Sequence, residues 1–242
     1  MRYGIFSDVH SNLEALTAVI DAYKKEKIDL YLCAGDIVGY AANPKECINK
    51  VDALAMATVA GNHDLASVGL FSLTRLNSLA KDAILWTREV LGYSERYFLE
   101  SLKPVYQNVD LTLVHGTLNH PEDFNYMTDI YLAKETFDIL NTDLCFIGHT
   151  HIPGVFIRDI KGNIEYKEEM SLNIIEGNKY IVNVGSVGQP RDRNPMAAFC
   201  IYDTEKKQVW IKRIGYNIEA AVNKIIRAGL PRFLADRLFV GR

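Results

Sequence analysis

Side chains that can bind metals or transfer protons recur where short apolar runs of the chain end. They follow five such runs, as Asp8 and His10, Asp36, Asn62 and His63, His115, and His149 and His151. Carboxylate, amide and imidazole groups without a thiolate suit first-row divalent ions better than a structural zinc cage or a calcium loop. Counted without His63, the set has seven candidate ligands. It therefore predicts two adjacent ions that share one carboxylate and leave positions open for water and substrate.

The apolar runs predict the strands that position these side chains. They cover residues 3–7, 30–34, 54–60, 111–114 and 144–147. After the first run, Ser11 and Glu14 have the spacing of a capping box, which predicts that a helix begins with Ser11 as its N-cap. Because the carboxyl ends of strands in α/β sheets share one edge, we expect the five polar loops to converge on one cleft.

The remaining segments predict a helical insertion and a second sheet. Residues 65–102 have helical spacing of apolar residues and are predicted to form a small cap over the cleft. From residue 155 onward, short apolar runs separated by turns predict a second sheet, and terminal helices are expected at 218–226 and 233–238. The whole chain, 1–242, is predicted to be a single α/β domain.

Composition and charge limit the possible functions. The chain of 242 residues is 48% hydrophobic and 24% charged, as is typical of globular proteins. Its formal net charge of −3 argues against extended nucleic-acid binding and against attachment to an anionic membrane. Since the sequence shows neither a signal peptide nor a long apolar run, a cytoplasmic location is expected, and an anionic substrate must be held by a local arrangement of charges.

The motifs D-x-H, G-D, G-N-H-D, H-G and G-H-x-H, in this order, closely resemble those of the calcineurin-like metallophosphoesterase superfamily. Each is present in the sequence, and the resemblance extends over essentially the whole chain. Residues 36–40, 183–192 and 229–231 also resemble its small single-domain prokaryotic phosphodiesterase branch. This resemblance implies a four-layer α/β/β/α sandwich with two central mixed sheets.

The resemblance also implies a role for each motif residue. It implies that the first metal is held by Asp8, His10 and His151, and the second by Asn62, His115 and His149. Asp36 would bridge the two metals. His63 would lie outside the metal shell as the acid that protonates the leaving group, with Asp64 beside it as an orienting residue. The implied cofactors are two divalent ions, chosen from Mn, Fe, Ni, Co and Zn.

The implied activity is the hydrolysis of phosphoester bonds through attack by a metal-bridging hydroxide. Phosphodiesters or dinucleoside polyphosphates are the favoured substrates, so the expected partner is a small phosphoester or nucleotide. Phosphomonoesterase activity, protein phosphatase-like activity and a non-catalytic scaffold, like the retromer subunit of the same superfamily, remain alternatives. The presence of every motif residue favours an enzyme, and the sequence leaves the oligomeric state open.

Two further residues are candidates for substrate binding, together with Asn62. Arg191 follows a glycine-containing turn, and its guanidinium could grip a phosphate with two hydrogen bonds. His120 follows the H-G motif and could line the substrate pocket. The chain departs from the branch at Val184 and Met196, where proline and arginine are usual, and an anion contact is therefore expected to be missing near Met196.

Overall fold

The structure, a computed structural model, describes all residues from 1 to 242 and contains twelve strands and eight α-helices. The strands are β1 (Arg2–Phe6), β2 (Leu30–Cys33), β3 (Ala57–Thr58), β4 (Val105–Gln107), β5 (Thr112–Val114), β6 (Leu144–Ile147), β7 (Gly154–Arg158), β8 (Ile164–Lys167), β9 (Ser171–Asn173), β10 (Lys179–Asn183), β11 (Ala197–Asp203) and β12 (Gln208–Ile214). The helices are α1 (Leu13–Tyr23), α2 (Pro44–Leu54), α3 (Asn62–Ser67), α4 (Ser78–Val90), α5 (Tyr93–Ser101), α6 (Ile130–Ile139), α7 (Ile218–Arg227) and α8 (Arg232–Asp236). Short 3₁₀ helices cover Leu73–Arg75, Pro121–Asp123 and Arg237–Phe239. No helix combines the length and the apolar character that a membrane span requires.

The strands form two six-stranded mixed sheets, which confirms the predicted fold class. The first sheet has the order β3-β2-β1-β11-β12-β9, with β1, β2 and β3 parallel and β11 antiparallel to β1. The second has the order β4-β5-β6-β10-β7-β8, with β5, β6 and β10 parallel. The two sheets pack face to face, and Ile5 of β1 and Val182 of β10 belong to the apolar layer between them.

Helices cover the outer face of each sheet and complete the four layers. On the first sheet, α1 packs through Leu16 against Phe199 of β11. On the second sheet, α6 packs through Phe137 against Ile181 of β10. Apolar residues on both faces of each sheet are thus removed from water, which is the main stabilisation available to such a fold.

The assignment of strands to sheets differs from the sequence prediction. The strands that precede the candidate ligands are divided between the sheets, with β1, β2 and β3 in the first and β5 and β6 in the second. The second sheet does not begin at residue 155, and β9, β11 and β12 return to the first sheet. The pattern of apolar runs predicts strands but not their partners, because strand pairing is a long-range property.

Helix α1 begins one residue later than the capping box predicts. Its N-cap is Asn12, whose Oδ1 accepts a hydrogen bond from the backbone N–H of Ala15 at 3.1 Å. Ser11 instead has a positive φ of 58° and donates its backbone N–H to the carbonyl oxygen of Ile37 at 2.8 Å. Ser11 therefore belongs to the turn that carries His10 and not to the helix.

The segment predicted as a cap is largely helical, but most of it packs on the body of the protein. Leu99 of α5 lies in the apolar layer outside the first sheet, and Ala83 of α4 packs with the terminal helices α7 and α8. Only its residues between Phe71 and Ala80 line the cavity beside the candidate ligands. That the segment forms a cap over the cleft remains a prediction.

The layer between the sheets predicts a large stability difference between two phenylalanine substitutions. Phe146 is fully buried in this layer, whereas Phe239 is 48% exposed. We expect Phe146→Ala to lower the free energy of unfolding by about 3 to 5 kcal/mol, because a cavity would remain between the sheets. Phe239→Ala, the matched control, should cost less than about 1 kcal/mol. Urea denaturation measures both, and equal losses would contradict the assigned layer.

Candidate metal centre

The loops that carry the candidate ligands have an unusual backbone conformation. Asp8, His10, Asp36, His149 and His151 all have positive φ angles, between 48° and 66°. Residues other than glycine seldom adopt this left-handed region, and each such residue costs on the order of 1 to 3 kcal/mol. Strain of this kind persists only where surrounding contacts impose it, and it clusters at functional sites.

Two motif glycines allow these loops to approach one another. A Cβ atom on Gly61 would overlap the carboxylate of Asp36, and a Cβ atom on Gly148 would overlap Ser7 and Asp8. Gly61 thus lets the loop after β3 lie against the loop after β2, and Gly148 brings the second sheet against β1. Both positions require glycine because the neighbouring loops lie too close for a side chain, and not because of a special turn conformation.

The first group of candidate ligands surrounds Asp8. Its Oδ1 lies 3.2 Å from Nε2 of His151 and 3.7 Å from Nε2 of His10. The two imidazoles face each other, with 3.0 Å between their Nε2 atoms. All three side chains are buried, so these atoms could hold a metal ion together.

The second group surrounds Asp36. Its Oδ2 lies 3.3 Å from Nε2 of His115 and 3.7 Å from Nε2 of His10. Asp36, His115 and His149 each offer one ligand atom, and these atoms lie within 4.8 Å of one another. The same Asp36 oxygen thus faces a histidine of each group.

Backbone carbonyls orient three of the histidine rings. In each ring Nδ1 lies within hydrogen-bond distance of a carbonyl oxygen, so the ring donates from Nδ1 and points Nε2 into the site. The pairs are His10 with Val38 at 3.0 Å, His115 with Ala34 at 2.7 Å and His151 with Gln189 at 2.5 Å. The Nε2 lone pairs of His10 and His151 consequently oppose each other, an arrangement that a shared cation stabilises.

Several buried polar atoms of the site have no hydrogen-bond partner. They are Oδ1 of Asp8, Oδ1 of Asn62 and Nε2 of His115. Leaving a buried acceptor unpaired costs about 1 to 3 kcal/mol, and more where the group is charged. Oxygen and nitrogen atoms of this kind fit a divalent cation of the first transition row. The residues present therefore fit a metal centre.

Electrostatic interactions prepare these groups for a cation. Burial opposes a charge on His115, but the carboxylates of Asp36 and Asp8 outweigh it and raise the pKa of His115 to about 9. Burial also opposes ionisation of Asp8, but His151 and His115 hold the pKa of this carboxyl well below its ordinary value. Burial and the charge of His115 lower the pKa of His149 to about 3. At pH 7 the carboxylate of Asp8 is thus ionised and His149 is neutral. His115 carries a proton, which a bound cation would displace.

Asp64 does not orient His63, contrary to the prediction. Its carboxylate accepts hydrogen bonds from four backbone N–H groups, all in the loops after β2 and β3. Nδ1 of His63 is buried without a hydrogen-bond partner. The side chain of Asp64, at the third position of α3, turns back toward the preceding loop. Its carboxylate accepts hydrogen bonds from backbone N–H groups that would otherwise be unpaired there. Asp64 therefore supports the backbone around Asp36.

His63 lines a cavity of about 260 Å³ beside the candidate ligands. Its backbone N–H donates to Oδ1 of Asp36 at 2.8 Å. Burial lowers the pKa of His63 to about 4, with Asp36 opposing this effect and Arg191 adding to it. The imidazole is therefore neutral at pH 7 in the free protein, so a role as proton donor requires that a bound group raise its pKa.

The two predicted substrate-binding residues outside the motifs differ in position. Arg191 lies beside the site, where its Nη2 donates to Oη of Tyr40 at 3.4 Å and its backbone N–H donates to the carbonyl oxygen of His151 at 3.3 Å. The side chain of His120 is 69% exposed and lies 3.9 Å from Glu122. The prediction for His120 is wrong, because the left-handed turn before Pro121 directs this side chain to solvent.

Two tyrosines contact the site and were not predicted. The Tyr40 ring lies 4.6 Å from the His10 ring and 4.5 Å from the His63 ring, measured between centroids. The Tyr126 ring stacks on His149 at 3.9 Å. Tyr40 ends the stretch 36–40 that carries the family resemblance, so its position was a usable signal, whereas nothing in the sequence around Tyr126 distinguishes it.

Comparison with known proteins agrees with this geometry. The calcineurin-like phosphoesterase superfamily domain matches residues 1–207. A protein from Methanocaldococcus jannaschii described as uncharacterised is 40% identical over 243 residues, which cover 98% of this chain and 97% of that protein. The crystal structure of a metallophosphoesterase from Sphaerobacter thermophilus is 38% identical, covers 100% of this chain and 99% of that chain, and has a TM-score of 0.90. A hypothetical protein from Pyrococcus horikoshii has the same fold at 18% identity and a TM-score of 0.79, over 100% of this chain and 98% of that chain. The chain therefore belongs to the calcineurin-like phosphoesterase superfamily.

Proposed function

We propose that this protein is a metal-dependent phosphoesterase that binds two divalent ions and hydrolyses phosphodiesters or dinucleoside polyphosphates. The observation that carries the proposal is the set of buried, unpartnered oxygen and nitrogen atoms on both sides of Asp36. A non-catalytic scaffold would have no need for such costly groups. Membership of a phosphoesterase superfamily supports the same conclusion.

The candidate ligands divide into two sets around Asp36. On the proposed assignment one ion is held by Asp8, His10 and His151, and the other by Asn62, His115 and His149. Asp36 is the shared ligand, because its Oδ2 faces both His10 and His115. Divalent ions in such a site supply a water of lowered pKa and a positive field for the phosphate oxygens.

His63 is the residue of this chain that would move a proton. It is neutral in the free protein, but a phosphate bound beside it adds negative charge and favours the protonated imidazole. Protonated His63 can then give its proton to the departing oxygen in the adjoining cavity. Asn62, at the start of α3, lines the same cavity, which supports a role for it in contacting the phosphate.

Metal removal tests the proposed cofactor. We expect exhaustive chelation to abolish hydrolysis of bis(p-nitrophenyl) phosphate, and Mn²⁺, Fe²⁺, Co²⁺ or Ni²⁺ to restore it better than Ca²⁺, because the ligand set includes imidazoles. The same ions should raise the midpoint of thermal unfolding, since they bind only the folded site. Full activity after chelation, or an unchanged unfolding midpoint, would contradict a metal centre.

Substitution of Asp36 tests the shared ligand. We expect Asp36→Asn to reduce the content of both ions together, because a neutral amide cannot balance two cations. Elemental analysis of the purified variant measures this content. Asp159→Asn, in an exposed turn, is the matched control and should retain the metal content of the unaltered protein. Two tightly held ions in Asp36→Asn would show that the bridging assignment is wrong.

Two substrates with different leaving groups test the role of His63. We expect His63→Ala to retain its metal and to lose on the order of 10²- to 10⁴-fold in kcat on a dinucleoside monophosphate, whose ribose oxygen needs a proton to depart. The loss on bis(p-nitrophenyl) phosphate should be clearly smaller, because p-nitrophenolate is already a stable anion. Equal losses on both substrates, or loss of an ion, would show that His63 has another role.

A further inference from the structure

No hydrogen bond fixes the imidazole ring of His63. Its Nδ1 is buried without a partner, and the carboxylate of the neighbouring Asp64 is occupied by backbone N–H groups. One nitrogen of the ring nevertheless lies within 4.8 Å of ligand atoms of His10 and Asp36. A neutral imidazole at this distance could turn and become a metal ligand. The orientation of the ring therefore decides whether His63 stays outside the metal shell as a proton donor.

Gly39 leaves the space that one corner of this ring occupies. A Cβ atom on Gly39 would stand 2.3 Å from Nδ1 of His63 and 3.2 Å and 3.3 Å from its Cγ and Cε1. These distances are far shorter than a van der Waals contact, so no other residue fits at position 39 while the ring stays in place. Nδ1 thus points at the backbone of Gly39, and Nε2 lies on the side of the ring that faces away from it.

The ring of Tyr40 packs against another side of His63. The centroids of the two rings are 4.5 Å apart, and the ring of His10 lies 4.8 Å from that of His63 in an edge-to-face arrangement. Since Tyr40 also contacts His10 at 4.6 Å, the three rings form one cluster in which each contacts the other two. Aromatic pairs of this kind contribute about 0.5 to 1.5 kcal/mol each. A rotation of His63 out of the cluster would lose both of its contacts.

The backbone that carries these two residues is bent. Gly39 has a φ of 94° and Tyr40 a φ of 60°, and for a tyrosine this left-handed conformation costs on the order of 1 to 3 kcal/mol. Neighbouring contacts impose the bend, because the N–H of Ala41 donates to the carbonyl oxygen of His10 at 3.1 Å and Tyr40 packs in an apolar cluster with Leu238. Such strain clusters at functional sites. Here it brings the backbone of Gly39 and the ring of Tyr40 onto the same imidazole.

We infer that Gly39 and Tyr40 are positioning residues that hold the imidazole of His63 in one orientation, with Nδ1 on the backbone and Nε2 free to donate a proton. This inference rests on the proposed function, in which His63 protonates the departing oxygen. Many catalytic histidines are oriented by a hydrogen bond to Nδ1 from a third group. In this protein the packing of an aromatic ring and the missing side chain of Gly39 take the place of that hydrogen bond.

Two variants of Tyr40 separate the ring from the hydroxyl group. Tyr40→Leu keeps an apolar side chain but loses the ring. We expect it to lower kcat of the metal-loaded protein on the order of 10- to 100-fold on a dinucleoside monophosphate but less than about threefold on bis(p-nitrophenyl) phosphate, because only the ribose oxygen needs a well-placed proton. Tyr40→Phe keeps the ring and should change kcat on either substrate less than about threefold. Gly39→Ala, whose methyl group would displace the imidazole, should show the same unequal losses as Tyr40→Leu.

Tyr126→Ala is the matched control. Tyr126 lines the same cavity, but its ring stacks on His149. Any loss in this variant should therefore be equal on the two substrates. Elemental analysis and thermal unfolding show whether each variant is folded and loaded with metal. Equal losses on both substrates in Tyr40→Leu, or losses in Tyr40→Phe as large as in Tyr40→Leu, would overturn the inference. If His63→Ala itself slows both substrates equally, the proposed role of His63 fails instead.

Nuclear Overhauser spectra of the zinc-loaded protein locate the ring without hydrolysis. We expect contacts from the ring protons of His63 to Hα of Gly39 and to the ring of Tyr40, and both should persist in Tyr40→Phe. In Tyr40→Leu the contact with Gly39 should weaken, because the imidazole is free to rotate. If neither substrate is hydrolysed by the unaltered protein, the proposed function fails, but these spectra still decide whether Tyr40 holds the ring. An unchanged contact between His63 and Gly39 in Tyr40→Leu would refute it.

Discussion

The carboxylate of Asp64 is the contact on which the centre of the site depends. It accepts backbone N–H groups from Asp36 and Ile37 at 2.8 Å, from Gly61 at 3.0 Å and from Val38 at 3.2 Å. One buried side chain thus joins the loops after β2 and β3, and offsets the cost of N–H groups that no strand or helix satisfies. Its neighbour His63 completes the junction by donating its N–H to Asp36. Asp64 and His63 together thus help to hold Asp36 in its left-handed conformation between the two ligand groups.

Asp8 joins the two sheets in a similar way. Its Oδ2 accepts the backbone N–H of His149 at 3.0 Å, and its carbonyl oxygen accepts the N–H of Gly188 at 2.9 Å. The strained backbone of Asp8 and His149 is therefore imposed by hydrogen bonds between loops of different sheets. Since Oδ2 is occupied in this way, Oδ1 alone remains to face His151 and His10. The same carboxylate holds the structure together and presents one free oxygen.

The sequence predicted the candidate ligands because their residue types and their places after apolar runs are local properties. The partners of the strands, the contacts of Asp64 and the pKa of His63 were not predictable, since each depends on groups distant in sequence or on burial. The prediction for His120 was wrong for a related reason. Its nearness to the H-G motif in sequence does not reveal the turn that directs its side chain to solvent.

Charge changes sign between the candidate ligands and Arg191. Asp8 and Asp36 place negative charge at the centre, and the neutral imidazoles of His63 and His149 lie around it. Arg191 follows beyond Tyr40, and its positive charge lowers the pKa of both His63 and His151. On the proposed function, a phosphate bound beside His63 would offset the charge of Arg191 and favour the protonated imidazole, which is the form that can donate a proton.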